Sequence, residues 1–203
     1  MTTLTTITEL EAIYGAPNAA STVKELSALN AEYRAYVQAA PFCALATVGP
    51  EGLDCSPRGD AGQVMRILDD RTLAMPDRRG NNRIDSLRNI VRDPRVSLML
   101  MIPGSNTVLR INGKAELRTD TDLLESLTME GKPPRCVILV SIDTVYFQCA
   151  RAMMRAQVWD PDTFIDPETL PTAGQMLAAA SAGTVGGEAY DREWPDRAKA
   201  SMW

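Results

Sequence analysis

The sequence predicts a mainly β fold of the α+β class, an antiparallel sheet or barrel with flanking helices. Three observations point there: seven or so short apolar runs at hairpin spacing, turn residues between them, and few long helical periods. The 203 residues exceed one average domain without reaching two, so one domain with appendages is expected. A composition of 45% apolar and 23% charged residues suits a globular chain that buries its own core.

A helix is expected over 23–39. Thr22 and Glu25 have capping-box spacing, Val23, Leu26, Leu29, Tyr33 and Val37 recur at helical spacing, and Pro41 ends the run. Residues 42–48 read as a strand, GPEG at 49–52 as a turn and 53–57 as the returning arm. A second hairpin joins 64–68 to 72–76. The loop PDRRGNN then leads into a helix over 83–92, with Asn82 as N-cap and Asp85 at the third helical position; Asp93-Pro94 ends it. Residues 96–102 form a strongly apolar strand. Residues 107–118 are a strand pair, or one long strand interrupted at Gly113 by a bulge or a close approach. A helix over 121–130 is broken by GKPP, and 135–143 is another strand that 145–149 extends before a helical stretch at 150–157. The chain divides into an arm at 1–20, the main domain at 21–160 and a second arm at 161–203. That last arm carries a helix near 173–182 and is expected to pack on the barrel or on a neighbouring subunit.

Composition narrows the chemistry. Histidine is absent, which removes Ser-His-Asp and Cys-His catalysis and imidazole metal ligands. Cys43, Cys55, Cys136 and Cys149 show no C-x-x-C spacing and read as small buried hydrophobes in a reducing compartment. The acidic residues follow no calcium-loop order, so no metal is expected. The start MTTLTTITEL lacks a basic and apolar leader, and no run approaches eighteen apolar residues, so a cytoplasmic location is expected.

The net charge of −5 conceals an asymmetry. Arg accounts for 17 of the 21 basic residues, and six Arg lie between Arg78 and Arg95 against Asp85 and Asp93. This local +4 suits one small anion. A nucleic acid is disfavoured by the overall acidity and by the 5% aromatic content, which leaves few stacking platforms.

The segment PDRRGNNRIDSLRN, 76–89, concentrates that charge at a loop entering a helix. Backbone N–H groups of a helix start and its dipole favour an anion there. Arg78, Arg79 and Arg83 add paired donors, and Asn81 and Asn82 add amides, so a phosphate site is one reading. A solvated basic loop before an amphipathic surface helix is the other, and the two stand near parity. CSPRGD at 55–60 places Ser56, Arg58 and Asp60 at a strand end, either as ligand contacts or as ordinary turn residues. In CARAMMRAQVW, 149–159, Arg151 and Arg155 share a helical face and Trp159 follows a turn later, while Met153 and Met154 suit a core equally well.

The order of these parts resembles the pyridoxamine 5′-phosphate oxidase-like, FMN-binding split-barrel family, and within it a branch of FMN-dependent enzymes. The resemblance rests on SPRGD, the DRRGNNR-x-DSLRNI block, Asp93-Pro94-Arg95-Val96, the strand Leu109 to Ala115 and CA-x-A-x-x-R-x-x-x-W, and covers residues 20–185. It implies an antiparallel Greek-key split β-barrel with flanking helices, working as a homodimer with FMN at the subunit interface. Arg78, Arg79, Asn81, Asn82 and Arg83 would hold the phosphate. Ser56, Pro57 and Arg58 would line the ring or ribityl side, and Arg155 and Trp159 would approach from the partner. The implied activity is that of an FMN-dependent oxidoreductase acting on an unidentified small molecule. Alternatives are a non-catalytic flavin-binding or sensing protein and a split barrel using a deazaflavin.

Two departures from the family pattern matter. The Arg-x-His substrate motif of pyridoxamine phosphate oxidases proper is missing, which disfavours that reaction. Gln148 stands where close relatives place a His before the Cys of the third motif, and no general acid, base or other catalytic residue can be named.

Overall fold

The computed structural model describes residues 3–202. The chain runs through α1 (Ile7–Tyr14), α2 (Ala19–Thr22), α3 (Ala31–Ala39), β1 (Phe42–Gly49), β2 (Gly52–Gly59), β3 (Arg66–Ile67), β4 (Thr72–Asp77) and α4 (Asp85–Arg92). It continues through β5 (Arg95–Met101), β6 (Val108–Arg118), α5 (Thr121–Ser126), β7 (Cys136–Gln148) and α6 (Arg151–Arg155). Two 3-10 turns lead into α7 (Ala173–Ala180) and α8 (Glu188–Ser201).

All seven strands join one antiparallel sheet in the order β2-β1-β5-β6-β7-β4-β3. The expected antiparallel fold with flanking helices is therefore present. No ladder joins the β2 and β3 edges among the described residues, so the sheet stays open. Strands β6 and β7 form its spine. Residues 107–118, left open as one strand or two, form the single strand β6 with its register shifted between Asn112 and Gly113. A Cβ at Gly113 would sit 2.1 Å from the Ser141 carbonyl oxygen, so only glycine lets β6 pass β7 this closely.

Alternation along the strands buries one face. Leu45, Leu98, Leu109, Ile111, Ile138 and Val140 point into the core beneath α3 and α4. Each buried side chain of this size contributes about 1.5–3 kcal/mol. Helix α4 adds Ile90 to that core. Its buried Asn89 donates through Nδ2 to Thr47 Oγ1 at 3.1 Å, so the amide is not stranded in an apolar interior.

The helix expected over 23–39 begins only at Ala31. Asn30 caps it, its Oδ1 accepting from the Tyr33 N–H at 2.8 Å. Upstream, Leu26 exchanges two backbone hydrogen bonds with Val145, at 3.0 and 2.8 Å. Bonding to the sheet thus overrides the helical spacing of Val23, Leu26 and Leu29. The helix expected over 121–130 likewise stops at Ser126, because Met129 and Lys132 pair across a tight turn. Helices α1 and α8 were not expected. For α1 the signal was present, a Thr6–Glu9 capping box; in α8 an internal Pro195 hides the helical pattern.

Candidate functional site

Hairpin β1–β2 and the β4–α4 connection carry two of the three motifs singled out above, and the fold brings these two together. Between them lies a cavity of about 620 Å3, within the range usual for small-molecule sites. Ser56, Pro57 and Arg58 line it from β2. Arg78, Arg79, Asn81, Asn82 and Arg83 line it from the loop before α4. Arg135 reaches it from the start of β7, giving five Arg against Asp54, Asp77 and Asp85.

The arginines differ in what already holds them. Arg58 pairs with Asp77 at 2.6 Å and donates through Nε to Ser56 Oγ at 3.3 Å. Arg78 donates through Nε and NH2 to Asp60 Oδ2, at 2.8 and 2.6 Å, and through NH1 to the Leu127 carbonyl at 2.8 Å. With Asp60 almost wholly buried, this clamp ties the loop to β2 and α5. Arg83 pairs with Asp85, and both are solvent-accessible; that carboxylate holds the guanidinium pKa above its ordinary value. Arg79 forms no ion pair among the described residues. Arg135 meets only the neutral Asn82 Oδ1, at 2.7 Å. Among the described residues, neither Arg79 nor Arg135 is paired with a carboxylate.

The start of α4 reinforces this charge. Asn82 does not cap the helix as expected: it adopts a left-handed backbone, φ 63°, and its side chain turns to Arg135. The helix begins two residues later, with Ile84 in the capping position and no side-chain acceptor on its first N–H groups. Those donors and the positive end of the dipole remain available to an anion. Asn81 instead fixes the turn, its Oδ1 accepting from the Arg83 N–H at 3.0 Å.

Beside the arginines runs a small hydroxyl–carboxylate chain. Ser56 Oγ and Ser86 Oγ lie 2.9 Å apart, and Ser86 Oγ donates to Asp54 Oδ2 at 2.5 Å. The Cys136 thiol also faces the cavity. Burial, and then the Asp77 charge, push its pKa up to about 11, so it is not a thiolate nucleophile near neutral pH.

Arg155 and Trp159 do not line this cavity. Arg155 is exposed on α6, and Trp159 donates its indole N–H to the Ser105 carbonyl at 2.8 Å. Asp54, Asp77, Ser86, Arg135, Cys136 and Trp194 do line it and were not foreseen. Strand pairing carries Arg135 and Cys136 there, through the opposition of Cys136 and Asp77. Alternation on β2 offered a signal for Asp54, since it shares a face with Ser56 and Arg58. No group of three or more metal-ligating side chains occurs among the described residues, and no helix there is long and apolar enough to cross a membrane.

The fold and site define an open antiparallel β-sheet protein with an arginine-lined cavity at a helix start. Residues 29–149, more than half of the chain, match the sequence pattern of the pyridoxamine 5′-phosphate oxidase family, and the chain belongs to that family. No curated protein matches the sequence. Among solved structures, HupZ of Group A Streptococcus is similar at 16% identity and TM-score 0.48, over 59% of this chain and 93% of that one. General stress protein 26 of Bacillus anthracis is similar at 18% identity and TM-score 0.43, over 56% and 88%. An FMN-binding protein of Syntrophomonas wolfei is similar at 12% identity and TM-score 0.43, over 57% and 88%.

Proposed function

We propose that this chain binds FMN and works as an FMN-dependent oxidoreductase on a small molecule. The observation that carries the reading is the convergence of residues 54–59 and 76–87 in one arginine-lined cavity at an uncapped helix start. A dianionic phosphate fits that end: among the described residues Arg79 and Arg135 bring charge without a carboxylate partner, Arg83 lies on an exposed pair, and the first N–H groups of α4 donate to no capping side chain. Arg78 braces the loop from beneath. Ser56, Pro57 and Arg58 would line the ribityl or ring side.

When bound, FMN supplies the redox chemistry, and the protein's part is to bind, orient and tune it. Arg58, held by Asp77 and Ser56, keeps a guanidinium in a fixed orientation on the β2 side of the cavity. Titration of the protein with FMN, followed by loss of flavin fluorescence, tests the reading. Arg83→Ala is expected to weaken binding by about 10- to 150-fold, the range of one charge-assisted contact. A wild-type protein that quenches no flavin fluorescence would overturn the assignment.

A homodimer with FMN at its interface belongs to the same proposal. On the sheet face turned away from the core, Ala44, Met99, Arg110 and Tyr146 stand opposite one another across β1, β5, β6 and β7, beside Phe42 and Met101. Phe42 and Met99 are exposed, which suits a surface covered by a second copy. Such a copy would bring its Arg155 and Trp159 towards the first subunit's cavity. Light scattering giving 22.2 kDa, the mass of one chain, would remove this part of the proposal.

A second reading, a flavin-binding protein without catalysis, draws on the state of the cavity's acids. Asp54 accepts from Ser86, Asp77 and Asp85 are held in ion pairs, and the Cys136 pKa is raised. Steady oxidation of a reduced nicotinamide by the FMN-loaded protein decides for the enzyme. Mass spectrometry of the released ligand distinguishes FMN from a deazaflavin.

A further inference from the structure

We propose that Trp194, on α8, is a ligand-binding residue of this cavity and lays its indole against the conjugated ring of the bound flavin nucleotide, an inference that rests on the flavin reading above. Trp194 is the one aromatic residue among the described residues lining the cavity. Every other wall is made of Arg, Asp, Asn, Ser, Cys, Gly, Pro or aliphatic side chains. Those groups hold a phosphate and a polyol well. A planar conjugated ring gains most from an aromatic face.

The indole is also held in place. Its ring stacks on Tyr190, one turn earlier, with centroids 6.3 Å apart and planes 10° from parallel. The Arg197 guanidinium lies 4.4 Å from the Tyr190 centroid and 5.5 Å from that of Trp194. Residues 190, 194 and 197 therefore form one stripe on α8, with Trp194 half exposed. A stacked indole loses less rotamer freedom when a ligand arrives than a mobile one would.

Helix α8 itself is anchored at a defined place. Asp191 accepts from the Gly174 N–H at 2.7 Å and from the Thr172 hydroxyl at 2.5 Å, at the start of α7. The Gly187 N–H donates to the Gly174 carbonyl at 2.8 Å. A Cβ at Gly174 would lie 2.4 Å from the Gly187 carbonyl oxygen, so the two backbones touch only because that position is glycine. Yet α8 buries no residue and contains Pro195, which removes one helical hydrogen bond. Helix α8 is thus tied to α7 rather than buried, and Trp194 is the residue it presents to the cavity. The segment also lies outside residues 29–149, so the family match leaves it unassigned.

The test compares FMN, which has the ring, with ribose 5-phosphate, which lacks it, on wild type, Trp194→Ala and Trp194→Phe. Trp194→Ala is expected to weaken FMN about 3- to 10-fold, the range of one aromatic pair, while ribose 5-phosphate, measured by calorimetry, binds unchanged. Trp194→Phe should recover most of the loss. Circular dichroism matched to wild type shows that α8 is retained in both variants. Equal FMN affinity in wild type and Trp194→Ala overturns this inference alone. Equal loss for both ligands places Trp194 against the phosphate and overturns the ring assignment. A wild type that binds no FMN overturns the flavin reading and this inference with it.

Discussion

The sheet body and the carboxy-terminal arm are built on opposite principles. Every buried apolar side chain among the described residues falls between Leu29 and Val145. From residue 146 to 202 only Gly174 is buried, and it is there to let two backbones touch. The body is held by apolar area, a cooperative and non-directional term. The arm is held by directed contacts: two capping hydrogen bonds around Thr172, the Asp191 anchor and the Tyr190–Trp194–Arg197 stack. Stability therefore resides in one region, whereas the arm's contacts hold its own two helices to each other.

The largest test of this contrast is Leu109→Ala. The residue is fully buried on the central strand, and its loss should cost about 2–5 kcal/mol in urea unfolding. A change below about 1 kcal/mol would mean that the core is not where the sheet places it. Next comes Gly113→Ala, expected to cost about 1–3 kcal/mol because the new Cβ meets the Ser141 carbonyl and must push β6 from β7. Hydrogen exchange should then rise along both strands.

Asp191→Ala probes the other region. It should move global unfolding by no more than about 0.5 kcal/mol while residues 173–201 exchange markedly faster, since a locally tied element opens on its own. A loss as large as that of Leu109→Ala would make body and arm one cooperative unit and erase the comparison.

The smallest effect is chemical. Burial pushes the Cys43 thiol up to about 12 and the Cys136 thiol up to about 11, whereas Cys55 and Cys149 are exposed. Alkylation near pH 8 should label Cys55 and Cys149 first. Cys43 and Cys136 should follow only as pH rises towards their raised values or as the protein unfolds, because the thiolate is the reacting form. Rapid labelling of Cys43 at pH 8 would contradict the closed packing beneath β1.

Much of the body was legible because local pattern and tertiary environment agree there. The apolar strand over 42–48 and the Pro94 stop after α4 sit in the fold as the sequence suggested. The failures share a cause, since each involves competition from a distant backbone or side chain. Residues 23–29 have helical spacing, but Leu26 bonds to Val145, more than a hundred residues away. Asn82 is a good capping residue, but Arg135 takes its amide. Cys43 fits the expectation of a buried small hydrophobe, whereas Cys55 and Cys149 lie on the exposed side of the pleat or beyond it. The candidate site was half legible. Charge density marked 76–89 and polarity marked 55–60, but nothing local indicated Arg135 or Trp194.

By itself the sequence determined the kind of protein this is. Short apolar runs at hairpin spacing bury a face by pairing, which favours an antiparallel sheet, and the arginine-rich stretch before α4 marked where positive charge concentrates. Only the tertiary structure decided how that charge is used. The fold brings Asp77 to Arg58 and Asp60 to Arg78, Asp85 pairs with its near neighbour Arg83, and among the described residues Arg79 and Arg135 have no carboxylate partner. It also decided that a tryptophan far along the chain completes the wall. Coulomb and stacking interactions depend on separation in space, and a sequence records only separation along the chain.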